Sequence, residues 1–320
     1  MRYIYSRLLL CLLLCLVGNL ATVAQVNDNE ITSSLNHTWT TVRSTQGRDF
    51  FVTFMMNAGT AMDDKSLALQ LRVATMAEEA NVTIEYRGSS SVYKETFKVY
   101  KDSVYTYSVP ENRRQYAYAL DEEKKGYKSV RVVSDKDISV YACNYGNSSY
   151  DATMVLPIQT LGNEYVLQTF LKDRYATEFA IVATDPTKQT TVYITPSVLT
   201  SQKNEANKEI KVKLAQGQVY FVRSNEGTGD FSGTKIWADA PVAVFSGNQA
   251  TSVPFNPSYT DDHIFEQVIP LRYWGQHFAV TTAEYNTENI IRVTAIYDDT
   301  EVKVIDTNGT KVKTLKAYES

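Results

Sequence analysis

Cysteine is scarce in this chain, which has 3 cysteines in 320 residues. Cys11 and Cys15 lie in an apolar amino-terminal segment, so we expect only Cys143 in the mature protein. A single cysteine forms no internal disulfide, which excludes the cross-linked frameworks of small secreted domains. The fold must therefore be stabilised by packed cores, and we expect Cys143 to be a buried thiol within a strand.

Glycine, proline and histidine are also infrequent, with 14, 8 and 3 residues. The low glycine and proline content excludes collagen-like and long flexible tracts. The 32 basic and 36 acidic residues give a net charge of −4. This balance disfavours nucleic acid as a partner, because phosphate binding needs clustered positive charge. The composition is that of a globular protein, long enough for two or three domains.

The amino terminus has the three parts of a secretory signal peptide: Arg2 and Arg7, an apolar run at 8–17, and small residues up to Ala24. The apolar run spans about 15 Å as a helix, whereas a bilayer core needs about 30 Å. We predict that residues 1–24 are removed and that residues 25–46 form a lead-in segment. The mature protein is then secreted or held at the cell surface, without a further transmembrane segment.

Similar segments recur along the chain with a period of about 113 residues. A glycine precedes each of three apolar strand patterns, at Gly47, Gly162 and Gly275. The same alternation of apolar and polar residues appears in segments 81–84, 191–194 and 301–304. We predict complete units at 47–161 and 162–274 and an incomplete third unit at 275–320. An incomplete third unit would leave an open sheet edge. We therefore predict either that this chain is a truncated piece of a longer protein or that its third unit pairs with a partner.

Alternation with a period of two, without a long amphipathic helical stretch, predicts an all-β fold. We predict tandem antiparallel β-sandwich units of the immunoglobulin-like type, with a β-propeller as the alternative. The pair Asn308-Gly309 lies between two alternating segments and predicts a β-hairpin. We expect Pro241 to begin a strand, because its missing N–H is tolerated there. We also expect Trp237 and Trp274 to lie in the core, since both fall within repeated segments.

One cluster of residues suits a divalent cation, since Asp262, His263 and Glu266 supply carboxylates and an imidazole. Against a metal site, His263 and Glu266 are three residues apart and fall on opposite faces of a strand. The first unit has Asp151 but no histidine at the equivalent place. We therefore predict that these residues tie a loop to a strand and that the protein has no metal, cofactor or catalytic residue.

Tyrosine is abundant, with 22 residues, and several lie where strands are predicted to end. Tyrosine gives a large, rigid surface with a polar tip, which suits the recognition of proteins and glycans. The plainer explanation is that tyrosine is favoured within strands. The residues predicted to form ligand-binding loops are Asn144, Tyr145, Tyr150 and Tyr259.

Four segments carry a resemblance to a known family, namely 132–141, 240–247, 262–267 and 270–275. With these segments the chain resembles the IgGFc-binding protein amino-terminal domain family. Animal members carry cysteines where this chain has Gln249, Ala250 and Asp261. The resemblance therefore implies the exported, cysteine-poor bacterial type of member, without the stapling disulfide.

The resemblance also implies a function as a binding or adhesion module for an extracellular protein or glycoprotein, with immunoglobulin Fc or mucin as partner. Two alternatives remain open at the level of sequence. The units would act as structural spacers of a larger surface protein, or Asp262, His263 and Glu266 would form a metal-dependent glycan hydrolase.

Overall fold

The computed structural model describes residues 44–58, 60–146, 148–171, 174–253, 260–281 and 290–319. The predicted signal peptide (1–24) and nearly all of the lead-in segment (25–46) lie outside these residues. Within the described ranges the chain has 17 strands, three short 3₁₀ helices and no α-helix, and no helix long and apolar enough to cross a membrane. All pairs of named strands are antiparallel. This confirms the prediction of an all-β, antiparallel fold.

The first sheet has seven strands and curves into a half-barrel. Its central path runs β4-β3-β7-β2-β5, while β1 and β8 also pair with β7. Alternating burial along β2 and β3 matches the period-two pattern in the sequence. The strands are β1 (Gly47–Val52), β2 (Ala68–Thr75), β3 (Glu79–Arg87), β4 (Val92–Tyr100), β5 (Val104–Ser108), β7 (Val130–Tyr145) and β8 (Tyr150–Val155).

The second sheet has eight strands and forms a nearly closed barrel. Its path runs β12-β11-β14-β10-β13-β6, while β9 and β15 also pair with β14. Its outermost strand, β6, comes from the chain segment before β7. The strands are β6 (Lys125–Tyr127), β9 (Gly162–Val166), β10 (Thr177–Ala183), β11 (Thr190–Thr195), β12 (Ile210–Leu214), β13 (Gln218–Arg223), β14 (Lys235–Thr251) and β15 (Asp262–Gln267).

A two-stranded hairpin follows the second sheet, formed by β16 (Thr300–Asp306) and β17 (Gly309–Leu315). Asp306 pairs with Gly309 across the turn, and Gly309 has φ of 119°, a region that favours glycine. The hairpin predicted from Asn308-Gly309 is therefore confirmed. The 3₁₀ helices span Glu111–Tyr116, Ile158–Thr160 and Leu271–Tyr273.

The two long strands organise their sheets in the same way. The amino-terminal half of β7 lies between β1 and β3, and its carboxyl-terminal half lies between β2 and β8. Strand β14 has β9 and β11 beside its first half and β10 and β15 beside its second. Equivalent strands of 47–161 and 162–274 thus have equivalent neighbours. The unit boundaries themselves stay predictions.

The sheets share a hydrophobic core. Every residue of β10 is buried, because one of its faces packs inside the second barrel and the other packs towards the first sheet. Phe265 stacks on Phe54 of the first unit and on Phe245 of β14, with ring centroids 5.9 and 5.7 Å apart. Apart from β6, which the first unit adds to the second sheet, each unit contributes one curved sheet, whereas the predicted sandwich gives each unit two facing sheets. The four-stranded blades of a propeller are not seen among the described strands.

Two local expectations are corrected. Pro241 lies in the middle of β14 and does not begin a strand; it falls between the residues paired with β11 and those paired with β10, so no ladder hydrogen bond is lost. Trp237 is 45% exposed on the outer face of the second sheet, where its ring lies 5.0 Å from that of Tyr193. Its position within a repeated segment did not imply burial.

Candidate functional site

The loop between β7 and β8 is a tight connection that brings two tyrosines together. Tyr145 and Tyr150 are paired across the end of the hairpin, and their rings stack with centroids 5.9 Å apart. The Gly146 N–H donates to the Ser149 carbonyl at 2.7 Å. A Cβ at Gly146 would lie 2.3 Å from the Thr60 hydroxyl, so this close approach requires glycine. The tight turn at Gly146 therefore determines the positions of the Tyr145 and Tyr150 rings.

These tyrosines belong to a larger exposed surface, the tyrosine face, made of Arg72, Tyr141, Tyr145 and Tyr150. Arg72 is the cross-strand partner of Tyr141 and donates to the Tyr145 hydroxyl at 3.0 Å. Tyr141 is 46% and Tyr150 is 61% exposed. Tyrosine and arginine dominate binding hot spots, because they combine a large apolar area with polar groups. The surface is thus suited to hold a protein or glycan.

Cys143 lies on the same side of β7, between Tyr141 and Tyr145. It is free and buried, which confirms the prediction of a buried strand thiol. Burial raises the pKa of its thiol above the usual range, with a smaller opposing effect from the Arg72 charge. Such a thiol is a poor nucleophile, because the reactive species is the thiolate. Cys143 therefore contributes packing beneath the tyrosine face.

Asn144 faces the interior and positions the loop, although it was predicted as a ligand-binding residue. Its side chain is fully buried, and its amide group donates to the Met55 carbonyl at 2.8 Å and contacts His263 Nε2 at 3.1 Å. His263 Nδ1 lies 3.0 Å from the Asn248 carbonyl. A carbonyl only accepts, so Nδ1 carries the proton and Nε2 accepts from Asn144. Both imidazole nitrogens are engaged within the protein.

The ring of His263 is neutral in this position. Burial lowers the pKa of His263 to about 4, against smaller raising effects from the Asn248 and Gln249 carbonyls and the Asp262 charge. A neutral imidazole with an accepting nitrogen already bonded to an amide cannot ligate a metal without breaking that bond. The histidine thus joins β15 to the end of β7.

Asp262 fixes the other side of the loop. Its Oδ1 accepts from the Tyr150 N–H at 2.8 Å and from the Ser149 hydroxyl at 3.1 Å. The same serine hydroxyl accepts from the His263 N–H at 2.8 Å. The tyrosine face is therefore attached to β15 through the backbone of Tyr150.

Further along, β8 and β15 are joined by side chains rather than by a regular ladder. Asp151 accepts from the Phe265 N–H and Thr153 accepts from the Gln267 N–H, both at 2.8 Å. Gln267 in turn accepts from the Leu156 N–H at 2.7 Å. We call this contact the β8–β15 junction. It connects β8, which begins at Tyr150 of the tyrosine face, to the second sheet.

The three residues considered for a metal do not converge. His263 lies on the buried face of β15, while Asp262 and Glu266 lie on the opposite face, as strand spacing predicts. The structure, where it is described, brings no three His, Cys, Asp or Glu side chains together as a metal site. Tyr259 lies outside the described residues.

Arg72 and Tyr141 are not among the residues predicted from the sequence. The signal for Tyr141 is the alternation of β7, in which residues 141, 143 and 145 share one face and 140, 142 and 144 the other. The signal for Arg72 is its place in β2, which becomes informative only once the pairing of β2 with β7 is known.

Comparison with known proteins agrees with the resemblance seen in the sequence. The family model of the IgGFc binding protein matches residues 151–320. Human (Homo sapiens) IgGFc-binding protein is 34% identical over 157 residues, which cover 48% of this chain and 3% of the human protein. No solved structure shows a significant match. Because the family model matches more than half of the chain, this protein belongs to the IgGFc-binding protein family.

Proposed function

We propose that the chain is an exported, non-catalytic binding and adhesion module that recognises an extracellular protein or glycoprotein through its tyrosine face. The observation that carries this proposal is a group of three tyrosines and one arginine on one face of the first sheet. Tyr141 and Tyr150 are exposed, Tyr145 is held by Arg72, and the loop beside them is fixed by Asp262. Such preorganised aromatic side chains bind with little loss of conformational entropy.

Export is part of this proposal and is supported by the signal pattern at residues 1–24. We further propose a cysteine-poor member of the bacterial type, located at the cell surface or secreted. The finer fold proposal is a tandem array of units with a period of about 113 residues. The equivalent pairings around β7 and β14 support it.

For the partner we propose immunoglobulin Fc, with mucin as the comparison. The support is the name of the human relative and of the family, together with the chemistry of the tyrosine face. The chain matches a small part of the human protein, so the partner comes to it by analogy.

A non-catalytic role is supported by the environments of His263 and Cys143, the side chains considered as a catalytic base and a nucleophile. Both nitrogens of His263 are engaged in the protein interior, and the Cys143 thiol is buried with a raised pKa. Neither is available as a base or nucleophile. We accordingly propose no cofactor.

The test is a binding titration of the purified chain against immobilised immunoglobulin Fc, with mucin in a parallel channel. The double variant Tyr145→Ala/Tyr150→Ala removes the stacked pair. We expect it to weaken binding by about 100-fold, since each hot-spot tyrosine contributes about 1 to 2 kcal/mol. Tyr100→Ala and Trp237→Ala are matched controls, because these aromatics are 54% and 45% exposed on other surfaces. Both controls should bind like the wild type.

Saturable binding that is unchanged by the double variant would contradict the tyrosine face as the site. Binding of mucin without binding of Fc would replace Fc by mucin-type glycoproteins as the proposed partner. Binding of neither partner by a folded sample would favour the second candidate, a structural spacer. The shared core and the β8–β15 junction favour that role independently, because they pack and bond the two sheets together.

A further inference from the structure

The β16–β17 hairpin leaves one edge of β16 without a neighbour in the described part of the chain. Its apolar side chains are correspondingly exposed, with Val304 at 44% and Ile305 at 71%. Exposed strand edges with apolar side chains are acceptors for further strands. Strands β3 and β11, which lie at the equivalent places in the repeat, have both edges occupied, so their neighbours indicate which kind of strand fits such an edge.

The pairing of β3 and β11 is the same in both cases. Strand β3 lies between β4 and β7, and β11 lies between β12 and β14. On the long-strand side, Ile84 pairs with Val132 and Ile194 pairs with Ile236. Ile84 and Ile194 are fully buried. The residue of β16 at the same place in the repeated segment is Val304, which is exposed.

Each long strand also carries an aspartate that binds the start of its neighbour. Asp135 Oδ1 accepts from the Asn81 N–H at 2.8 Å. Asp239 Oδ1 accepts from the Thr191 N–H at 2.9 Å. The equivalent residue of β16 is Glu301. The occupied edges thus share a short motif on the long strand, in which an apolar residue is followed by any residue, a small residue and aspartate; its examples are 132–135 and 236–239.

The backbone of β16 is oriented to accept such a strand. Asp306 and Gly309 flank a two-residue turn, so even-numbered residues of β16 bond to β17. The N–H groups of Glu301, Lys303 and Ile305 then point to the open edge. The N–H of Glu301 thus points to the same edge as the N–H groups of Asn81 and Thr191, which donate to the aspartates of β7 and β14.

We propose that the open edge of β16 is an acceptor site for an extended strand of the apolar-x-small-Asp type, supplied by another unit of this family. The incoming strand runs antiparallel to β16. Its apolar residue covers Val304, its small residue lies opposite Val302, and its carboxylate accepts from the Glu301 N–H. Through this site, units join by completing one another's sheets, which goes beyond ligand binding at the tyrosine face.

The probe is a fluorescein-labelled peptide with the sequence of residues 233–240, GTKIWADA, titrated with the full chain and followed by fluorescence anisotropy. We expect saturable binding. A peptide with asparagine in place of Asp239 should bind roughly tenfold more weakly, because a charge-assisted hydrogen bond becomes a neutral one.

The protein variants are matched across the hairpin. Lys303→Pro removes an N–H from the open edge of β16 while leaving its pairing with β17, so it should abolish peptide binding. Val312→Pro makes the same change on the far edge of β17, which corresponds to the outer edges of β4 and β12 and should bind peptide normally. Hydrogen exchange at Glu301, Lys303 and Ile305 should slow on binding whether or not the proline variants fold well.

Three results would overturn the proposal. The first is the absence of saturable binding by a folded wild-type sample at about 1 mM peptide. The second is loss of binding in Val312→Pro and not in Lys303→Pro. The third is self-association of the chain that Lys303→Pro removes and that the peptide does not displace, since the edge would then pair with its own copy.

Discussion

Buried polar side chains determine the position of the tyrosine face. Asn144 and His263 form a bridge at 3.1 Å between the end of β7 and β15, and each has a second partner on a backbone carbonyl. Removing one member leaves the other as a buried polar group without its partner, which is more destabilising than the net value of the bond. The bridge therefore stabilises the loop only while His263 is neutral.

This condition gives a prediction about pH. The pKa of His263 is about 4 in the fold, and its ordinary value is 6.5. Below pH 6.5 the unfolded chain takes up a proton that the folded chain does not, so the contribution of His263 to stability is complete above 6.5 and is lost as the pH falls towards 4. We expect this residue alone to lower the free energy of unfolding by about 2 kcal/mol between pH 7.5 and 5. Urea titrations at both pH values measure this difference in the free energy of unfolding.

The control for that measurement is His263→Gln, which keeps a polar side chain but does not titrate. Its free energy of unfolding should fall less between pH 7.5 and 5 than that of the wild type, whatever its absolute stability. Carboxylates that titrate in the same range are common to both proteins and cancel in the comparison. Equal losses in the two proteins would show that His263 is already accessible to protons in the fold.

Single residues also mark the limit of what the sequence predicts. Alternation places Tyr141 and Phe245 at equivalent positions of β7 and β14, yet Tyr141 is 46% exposed and Phe245 is fully buried. The difference arises because the second half of β14 is covered on both faces, whereas the equivalent half of β7 is covered on one. Asn144 shows the converse, since a polar residue near a loop turned inward to bond with His263. Both outcomes depend on contacts between distant segments.

At the scale of elements, each of the two long strands has an irregularity in its register, which we call its bend, where the sequence shows an interruption. Residues 135–137 of β7 are exposed and charged, and Pro241 follows Asp239 in β14. Each bend separates the half paired with β3 or β11 from the half paired with β2 or β10. The sequence predicted the strands and the hairpin at Asn308-Gly309, whose signals are local. It did not predict that one strand continues through each interruption, because that depends on neighbours on both sides.

The aspartate at each bend should stabilise the beginning of the neighbouring strand. The hydrogen bonds from the Asn81 side chain and backbone hold the pKa of Asp135 below its ordinary value. We expect Asp135→Ala to speed hydrogen exchange at the Asn81 N–H by roughly tenfold, since the amide loses its acceptor. Ser139→Ala, in the same strand beyond the bend, is the control and should leave Asn81 unchanged. An unaltered rate in Asp135→Ala would mean that the carboxylate does not protect this amide.

For the whole molecule, the shared core decides whether the two sheets act as one body. Phe54 of the first unit stacks on Phe265, which stacks on Phe245, so side chains of both sheets form one cluster. The β8–β15 junction adds hydrogen bonds from backbone N–H groups of β15 to side chains of β8 across the same boundary. Independent sandwich units, as the repeat in the sequence predicts, would instead have separate cores. The repeat period could not reveal this, since it reports similarity between units and not contacts between them.

The last prediction is that the two sheets unfold together. Phe265→Ala removes a fully buried ring between them and should lower the free energy of unfolding by about 3 to 5 kcal/mol. Because the core is shared, hydrogen exchange should show the same decrease in the free energy of unfolding at the amides of Val140 in β7 and Val244 in β14. Phe278→Ala, at a ring that is 76% exposed, is the control and should change neither. A loss at Val244 with Val140 unaffected would show instead that each sheet has its own unfolding transition, as tandem independent units would.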